Sequence, residues 1–419
     1  MKITIVNTSD IRGGAAIAAY RLYKIISQKH PSSRMLVGEK LSDTAGIIDL
    51  NKSELRRALR FIRFVLERIT FIVISKSRKV WFDFSPANYG QNISSHPEIK
   101  TADIINLHWI NSGFLAIRDI KSIVRTGKPI IWSLHDMNTF TGGCHHAGQC
   151  TYYTQNCGNC IFVKSPSDKD LSYRVYQRKA KAYEGGNFTF IAVSNWMAER
   201  AIKSSLIGNH RIEVIPNFID INIFKPIDKT LVRDELGFPK DKFILLFGAA
   251  KLNDKRKGFE YLIKALVEMK KLRPEISDKY ILVTYGKSNW EDTLPVMHYP
   301  QFYIKDERMV AKLFQAADLY ITPTIEDNLP TTVMESLGCG TPVVAFNTGG
   351  IPDMLDHRIN GYIAEQKNIF DLINGITWVE SHPNIREIRE NCRIKAVENF
   401  SPDVISEKYL KLCSSLLRT

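Results

Sequence analysis

The sequence predicts an α/β protein of two domains, each built on a parallel sheet. Three observations predict it. Apolar strand-like runs recur along the whole chain, each followed by a polar loop and a helical pattern. That alternation is what parallel strands joined by crossover helices require. The chain has 419 residues, long for one domain and suited to two of about 200 each. Hydrophobic residues make up 44% of it, enough for two packed cores, which excludes a disordered chain.

The first strand is KITIV, so the N-terminus MKITIVNTSD reads as a strand and not as a signal peptide. Gly13 and Gly14 lie in the turn between it and a helical stretch. Glycine there lets a backbone approach a ligand at the positive end of the helix. The spacing is not GxGxxG, which excludes a nicotinamide dinucleotide fingerprint. Residues 52–79 predict a basic amphipathic helix, with Leu55, Leu59, Ile62 and Leu66 at helical spacing. Arg56, Arg57, Arg60, Arg63 and Arg68 flank them. Such a helix is drawn to an anionic membrane surface; the alternative is that the stripe packs on its own domain. DIINLHW, PIIWSLH, FTFIAVS and RIEVIPN follow as strands. His135 leaves the carboxyl end of PIIWSL, the edge where α/β folds bind ligands, with Asp136 placed to orient its imidazole.

Near Pro216 to Pro226 the stretch IPNFIDINIFKP breaks the alternation and marks a domain boundary. KFILLFGA, KYILVTYG, ADLYITPT and TPVVAF are the strands beyond it. The loop after KFILLFGA carries Lys251, Lys255, Arg256 and Lys257. Fixed cations of this kind neutralise a diphosphate in a partly desolvated site. After ADLYITPT comes IEDNLPTTVMESLGCGTPVV (325–344), with Asp327 in a loop and Glu335 on the helix that follows. Two carboxylates so spaced accept hydrogen bonds from sugar hydroxyls, and amides at the helix start receive phosphate. Pro330 removes one such amide. The closing segment SPDVISEKYLKLCSSLL starts a helix with Ser401 as cap and Pro402 as first residue.

Four of the seven cysteines, Cys144, Cys150, Cys157 and Cys160, crowd into one stretch after His135, the last two as CxxC. In a cytoplasmic chain this density points to a metal or redox chemistry, with a structural zinc held by four sulfurs as the first expectation. An iron–sulfur cluster, His145 or His146 as a substitute ligand, and four free thiols are the alternatives. The net charge of +13, from 57 basic and 44 acidic residues, calls for an anionic partner. No recognisable nucleic-acid module accompanies it, so no nucleic acid is expected. The acids of DKD (168–170), within the polar stretch KSPSDKD, read as a surface loop.

With the run CGTPVVAFNTGGIPDML (339–355), the 325–344 stretch resembles the donor-binding signature of retaining glycosyltransferases of the B fold, family 4 type. The matched motifs run from Gly13 to Ile363 and include SNWMAERA and IPNFID, which match in architecture only. The resemblance implies two Rossmann-like domains whose parallel sheets face across a cleft. The acceptor-side domain would cover 1–218, with the basic insertion at 52–79 and the cysteine-rich insert at 141–160. The nucleotide-sugar donor domain would cover 219–400, and a terminal helix, 401–419, would cross back to the first domain. Catalytic roles fall on His135, Asp327 and Glu335. Donor contacts fall on Gly13, Gly14, Lys251, Lys257, Glu326, Asn328, Leu329 and Thr331.

Three departures stand out. Asp327 occupies a position where the family has Glu, with Glu326 just before it, so either acid meets the donor sugar. Asn328-Leu329-Pro330 replaces a Gly-Phe-Gly run. Lys251 replaces an Arg and supplies charge without its bidentate fork.

The activity implied is transfer of a hexosyl unit, with retention, from a nucleotide sugar to a saccharide or lipid-linked oligosaccharide. Its setting is bacterial capsule, exopolysaccharide or O-antigen synthesis, in the cytoplasm and peripheral on the inner face of the membrane. No cofactor is required for chemistry. The cysteine insert is similar to one in a subgroup of bacterial polysaccharide glycosyltransferases. A nucleotide-sugar 2-epimerase of the same fold and a catalytically silent glycan-binding scaffold are the rival readings. A zinc hydrolase is disfavoured, because four cysteines would leave zinc no open position for water.

Overall fold

The computed structural model describes residues 1–287, 294–301, 304 and 306–418. The chain divides into two compact units, residues 1–216 with 406–419 and residues 217–405. In the first, seven strands form one parallel sheet: β1 Ile3–Ser9, β2 Arg34–Glu39, β3 Ile47–Asp49, β4 Ile104–Leu107, β5 Ile130–Leu134, β6 Phe188–Ala192 and β7 Arg211–Val214. Their order is β3-β2-β1-β4-β5-β6-β7. β4, β5 and β6 are buried end to end, as strands covered on both faces must be. The order reverses between β1 and β4, and the carboxyl edge there is where such sheets bind ligands. The loop after β1, His108 after β4 and His135 after β5 all arrive on that edge.

The second unit has six parallel strands: β8 Phe243–Lys251, β9 Tyr280–Lys287, β10 Met297–Gln301, β11 Leu319–Thr322, β12 Val343–Phe346 and β13 Gly361–Ala364. Their order, β10-β9-β8-β11-β12-β13, reverses between β8 and β11. The basic loop follows β8 and the acidic loop follows β11. Four strands, β2, β3, β10 and β13, were not expected from the sequence; three of them are sheet edges.

Helix α1, Gly14–Lys29, follows Gly13, and helix α2 covers Glu54–Ile72, shorter than the stretch expected. Ser53 caps α2, accepting from the Arg56 amide. The apolar stripe of α2 does not pack on its own domain. Leu55 is 70% exposed and Ile62 50%, and Leu59, Leu66, Ile69 and Val73 share that exposure. The helix is fastened instead by its other face. The Glu67 carboxylate accepts from the amides of Ala87 at 2.6 Å and Asn88 at 2.9 Å. Arg68 donates to the Trp81 carbonyl at 2.8 Å and to Ser85 Oγ at 2.9 Å, and Phe71 stacks on Phe84.

The last helix spans Pro402–Leu416, and from Ser406 onward it belongs to the first unit. Its Tyr409 hydroxyl accepts from Asn106 Nδ2 at 2.8 Å, deep among buried residues. Among the described residues, no helix is long and apolar enough to cross a membrane.

Candidate functional site

In the second unit, three loops interlock at the sheet's switch point. Gly258 has φ 74°, and a Cβ there would stand 1.8 Å from the Pro323 carbonyl, so only glycine lets the basic loop close on the acidic one. The Arg256 carbonyl then accepts from the Ile325 amide and from Thr324 Oγ1, both at 2.8 Å. Gly349 does the same service after β12: its Cβ would fall 1.7 Å from the Asp327 carbonyl. The Gly350 amide donates to the Asn328 carbonyl at 2.8 Å.

This scaffold brings Lys257 Nζ to 2.5 Å from Asp327 Oδ2. Both side chains keep partial solvent contact, at 32% and 20% exposure, so the pair can be entered by a ligand. The helix Thr331–Gly338 starts immediately after, with Pro330 at its N-cap, a residue whose side chain caps none of the first amides. An uncapped helix start beside a lysine is a receptor for phosphate. Glu335, on the second turn of that helix, is 8% exposed, and its charge is felt by Tyr285, Tyr320 and Cys339. Asn328 and Leu329 are buried, while Glu326 and Thr331 are half-buried. Lys251 is exposed at the end of β8, its carbonyl accepting from the Asp254 amide at 3.2 Å.

In the first unit, Gly13 and Gly14 border open space: a Cβ on either would meet nothing within 4 Å. His135 does not stand alone. His108 Nδ1 lies 2.8 Å from His135 Nε2, and Asn106 Nδ2 lies 3.0 Å from His108 Nε2. Asn106 Nδ2 donates, so His108 Nε2 accepts and its proton sits on Nδ1. His135 Nε2 therefore accepts in turn, and His135 carries its proton on Nδ1. Sequence reading missed His108, although its place after a neighbouring strand, at the end of DIINLHW, is the same signal that singled out His135.

Burial lowers His135 to about 4, even though the charge of Asp136 pulls the other way. Burial, with a contribution from His135, also holds His108 well below 6.5. Below pH 6.5 the unfolded chain takes up protons that these two rings refuse, so stability should fall as pH drops from 6.5 toward 4. NMR of the His135 ring should show it neutral at pH 5.5. A His135 titrating near 6.5 would overturn the relay.

Asp136 engages three groups besides the neighbouring imidazole of His135. Its Oδ2 lies 2.7 Å from His145 Nδ1 and accepts from Trp109 Nε1 at 2.8 Å, while Oδ1 accepts from the Asn138 amide at 2.8 Å. Burial alone would raise this carboxyl, but the pull of His145, through charge and hydrogen bond, takes it down to about 2. His145 Nε2 is engaged by Ser85 Oγ at 2.9 Å, so His145 is committed to these partners and is not a spare metal ligand. Asp170 is also not a surface acid. It is 5% exposed, caps the helix Leu171–Tyr183 and accepts from the Cys160 amide at 2.8 Å. The thiols of Cys144, Cys150, Cys157 and Cys160 all line one cavity of ≈ 20 Å³. Among the described residues, no three His, Cys, Asp or Glu side chains already converge at metal-binding geometry.

Residues 64–223 match the family described as Glycosyltransferase Family 4, and residues 228–398 match Glycosyl transferases group 1. An uncharacterized glycosyltransferase of Methanocaldococcus jannaschii is 27% identical over 344 residues, 76% of this chain and 84% of that one. The UDP-Gal:alpha-D-GlcNAc-diphosphoundecaprenol alpha-1,3-galactosyltransferase of Escherichia coli is 22% identical over 53% of this chain and 60% of its own. Several other curated relatives are likewise matched over less than two thirds of their length. The structure of Anabaena HepE in complex with UDP-glucose aligns with a TM-score of 0.63 at 16% identity, over 99% of this chain and 100% of that one. That likeness, at such identity, is one of fold: the two parallel-sheet units have glycosyltransferase neighbours of the GT-B class.

Proposed function

We propose, from the premise that this chain is a glycosyltransferase of the group 1 type, that it moves a hexosyl unit from a nucleotide sugar, with retention, to a lipid-linked saccharide. The product would be a bacterial surface polysaccharide, assembled at the inner face of the membrane. One observation carries this reading: Lys257, Asp327 and the uncapped start of helix Thr331–Gly338 meet at the β8/β11 switch point. The donor diphosphate belongs on the amides of Thr331 and Thr332, with Lys257 turning from Asp327 toward it. Lys251 adds charge at the rim. As the sugar–phosphate bond breaks, negative charge grows on the leaving diphosphate, and these fixed donors stabilise it more than they stabilise the bound donor.

Glu335 and one of Asp327 or Glu326 accept from hydroxyls of the donor. His135, at the carboxyl end of β5, is assigned a contact with a sugar hydroxyl, and the Gly13–Gly14 loop offers open backbone beside the same sheet edge. Two findings support the lipid-linked acceptor. The Escherichia coli relative is named for transfer to a diphosphoundecaprenol-linked sugar, and helix α2 exposes an apolar stripe with arginines beside it. That helix also supports peripheral attachment to an anionic membrane.

The test is a panel of nucleoside-diphosphate sugars. The right donor at 100 times its Kd adds about 2.7 kcal/mol of stability, which a thermal shift reads directly. With that donor and a lipid-linked acceptor, the transferred sugar should keep the donor's anomeric configuration in the product NMR spectrum. Stabilisation without transfer or donor hydrolysis would favour the silent scaffold, and epimerised donor would favour the 2-epimerase. Product of inverted configuration would remove the retaining assignment.

A further inference from the structure

We propose that Cys144, Cys150, Cys157 and Cys160 hold one structural zinc ion that fastens the 141–160 segment beneath Asp136. The four side chains are spread over seventeen residues, yet they line a single cavity of ≈ 20 Å³, about the room one small ion needs. Phe84, Tyr152, Tyr153 and Phe162 wall it; Cys160 is buried and the other three cysteines are half-buried. The other cysteines, Cys339, Cys392 and Cys413, are buried elsewhere and do not line this cavity.

The backbone is shaped toward the cavity. Cys157, Gly158 and Asn159 have φ of 55°, 112° and 46°, three consecutive residues in the left-handed region, two of them without glycine's freedom. Such a turn lets Cys157 and Cys160 face the same point, as a CxxC pair at a metal does. The Gly142 amide donates to Cys157 Sγ at 3.1 Å, and an amide that donates to sulfur stabilises its thiolate form. Asp170 holds the Cys160 amide in place.

Lys179, 2% exposed, fixes the start of the same segment: its ammonium donates to the carbonyls of Asn138 and Thr141 and to the Asn138 side chain. On binding, four S–H protons leave to solvent and four Zn–S bonds form. No electron moves. Since the sulfurs do not yet converge, binding draws them inward across the cavity. Zinc is favoured because a closed set of four sulfurs suits it and leaves no position open for chemistry.

This inference does not depend on the sugar-transfer reading, and its test reads metal, not activity. Full-length protein purified with reductant and without chelator should contain about one zinc per chain by elemental analysis. Titrating it with a mercurial should release that zinc as about four thiols react. Cobalt(II) exchanged into the wild-type protein should give the strong visible bands of a tetrahedral thiolate site. Cys157→Ser with Cys160→Ser should lose the metal, while Cys392→Ser should keep it. Zinc well below one per chain after incubation with the ion would overturn the proposal. So would a weak octahedral cobalt spectrum, disulfides among the four, or iron with visible absorbance.

Discussion

Glu335→Ala and Lys257→Ala should each slow sugar transfer on the order of 100-fold while leaving the chain folded. A charged hydrogen bond in a partly desolvated site contributes roughly 1.5–3 kcal/mol, and each 1.36 kcal/mol is about a factor of ten in rate. Lys257 is the side chain that the interlocked loops present to the helix start, and its only described ion-pair partner is Asp327. Removing it frees Asp327 to repel the incoming diphosphate, so the loss includes a repulsion as well as a missing attraction. Neither side chain carries the core: Lys257 is one-third exposed, and Glu335 lies on a helix whose Val333, Met334 and Leu337 supply the packing. Circular dichroism and the melting temperature should therefore stay near wild type. Lys270→Ala, an exposed lysine near the end of the helix Phe259–Leu272, is the control and should transfer normally. Near wild-type turnover in either site variant would take that residue out of the donor site.

Much of this site was legible in the sequence because it rests on local order. A strand, a loop and a helix start in succession put Asp327 and Glu335 at a carboxyl edge, and the same rule placed Lys257 after β8. The pairing of Lys257 with Asp327 was not legible. It depends on Gly258 and Gly349 closing three loops that are far apart in the chain, and a glycine's clash partner is a tertiary fact. His108 was passed over for a related reason. Alone it reads as the tail of a strand; only the adjacency of β4 and β5 puts its ring against His135.

The same contrast runs through the fold. Central strands such as β4, β5 and β6 are buried end to end and apolar but for one residue each, and were readable, whereas β3 has only Ile47 buried and β10 none of its residues, so they leave little pattern to read. Periodicity identified α2 as a helix and named its stripe, but periodicity is silent about which face turns inward. The answer came from the polar face: Glu67 satisfies amides of the 87–89 segment and Arg68 its neighbouring carbonyls, leaving the leucines in solvent. An expectation of charged residues outward and apolar residues inward fails here because the Glu67 carboxylate and the two terminal nitrogens of Arg68 are hydrogen-bonded, which offsets much of the cost of burying them.

That inverted helix sets the second large expected effect. Leu59→Glu with Ile62→Glu should abolish binding of the protein to vesicles that contain anionic lipid, without lowering its melting temperature. Both side chains are exposed, at 43% and 50%, so replacing them leaves no hole in the first unit. On a membrane the same side chains enter the headgroup boundary, and two carboxylates there face hydrocarbon and like-charged lipid at once. The arginines act more weakly than their number suggests. Arg60 is paired with Glu39 at 3.2 Å and Arg63 donates to Gln91 at 3.2 Å, which leaves Arg56 and Arg57 as the exposed cations of the stripe's first turns. At about 1 kcal/mol each, changing both to Gln should weaken vesicle binding roughly 30-fold, and raised salt should mimic the change. Donor binding should survive in every one of these variants, since Lys257, Asp327, Glu335 and the helix start assigned to the donor lie in the other unit and none of the substituted side chains is assigned a donor contact. Equal affinity for neutral and anionic vesicles would remove lipid charge from the account. Unchanged binding by the Glu variant would remove the helix from it altogether, and its exposed stripe would then be the seat of a protein partner.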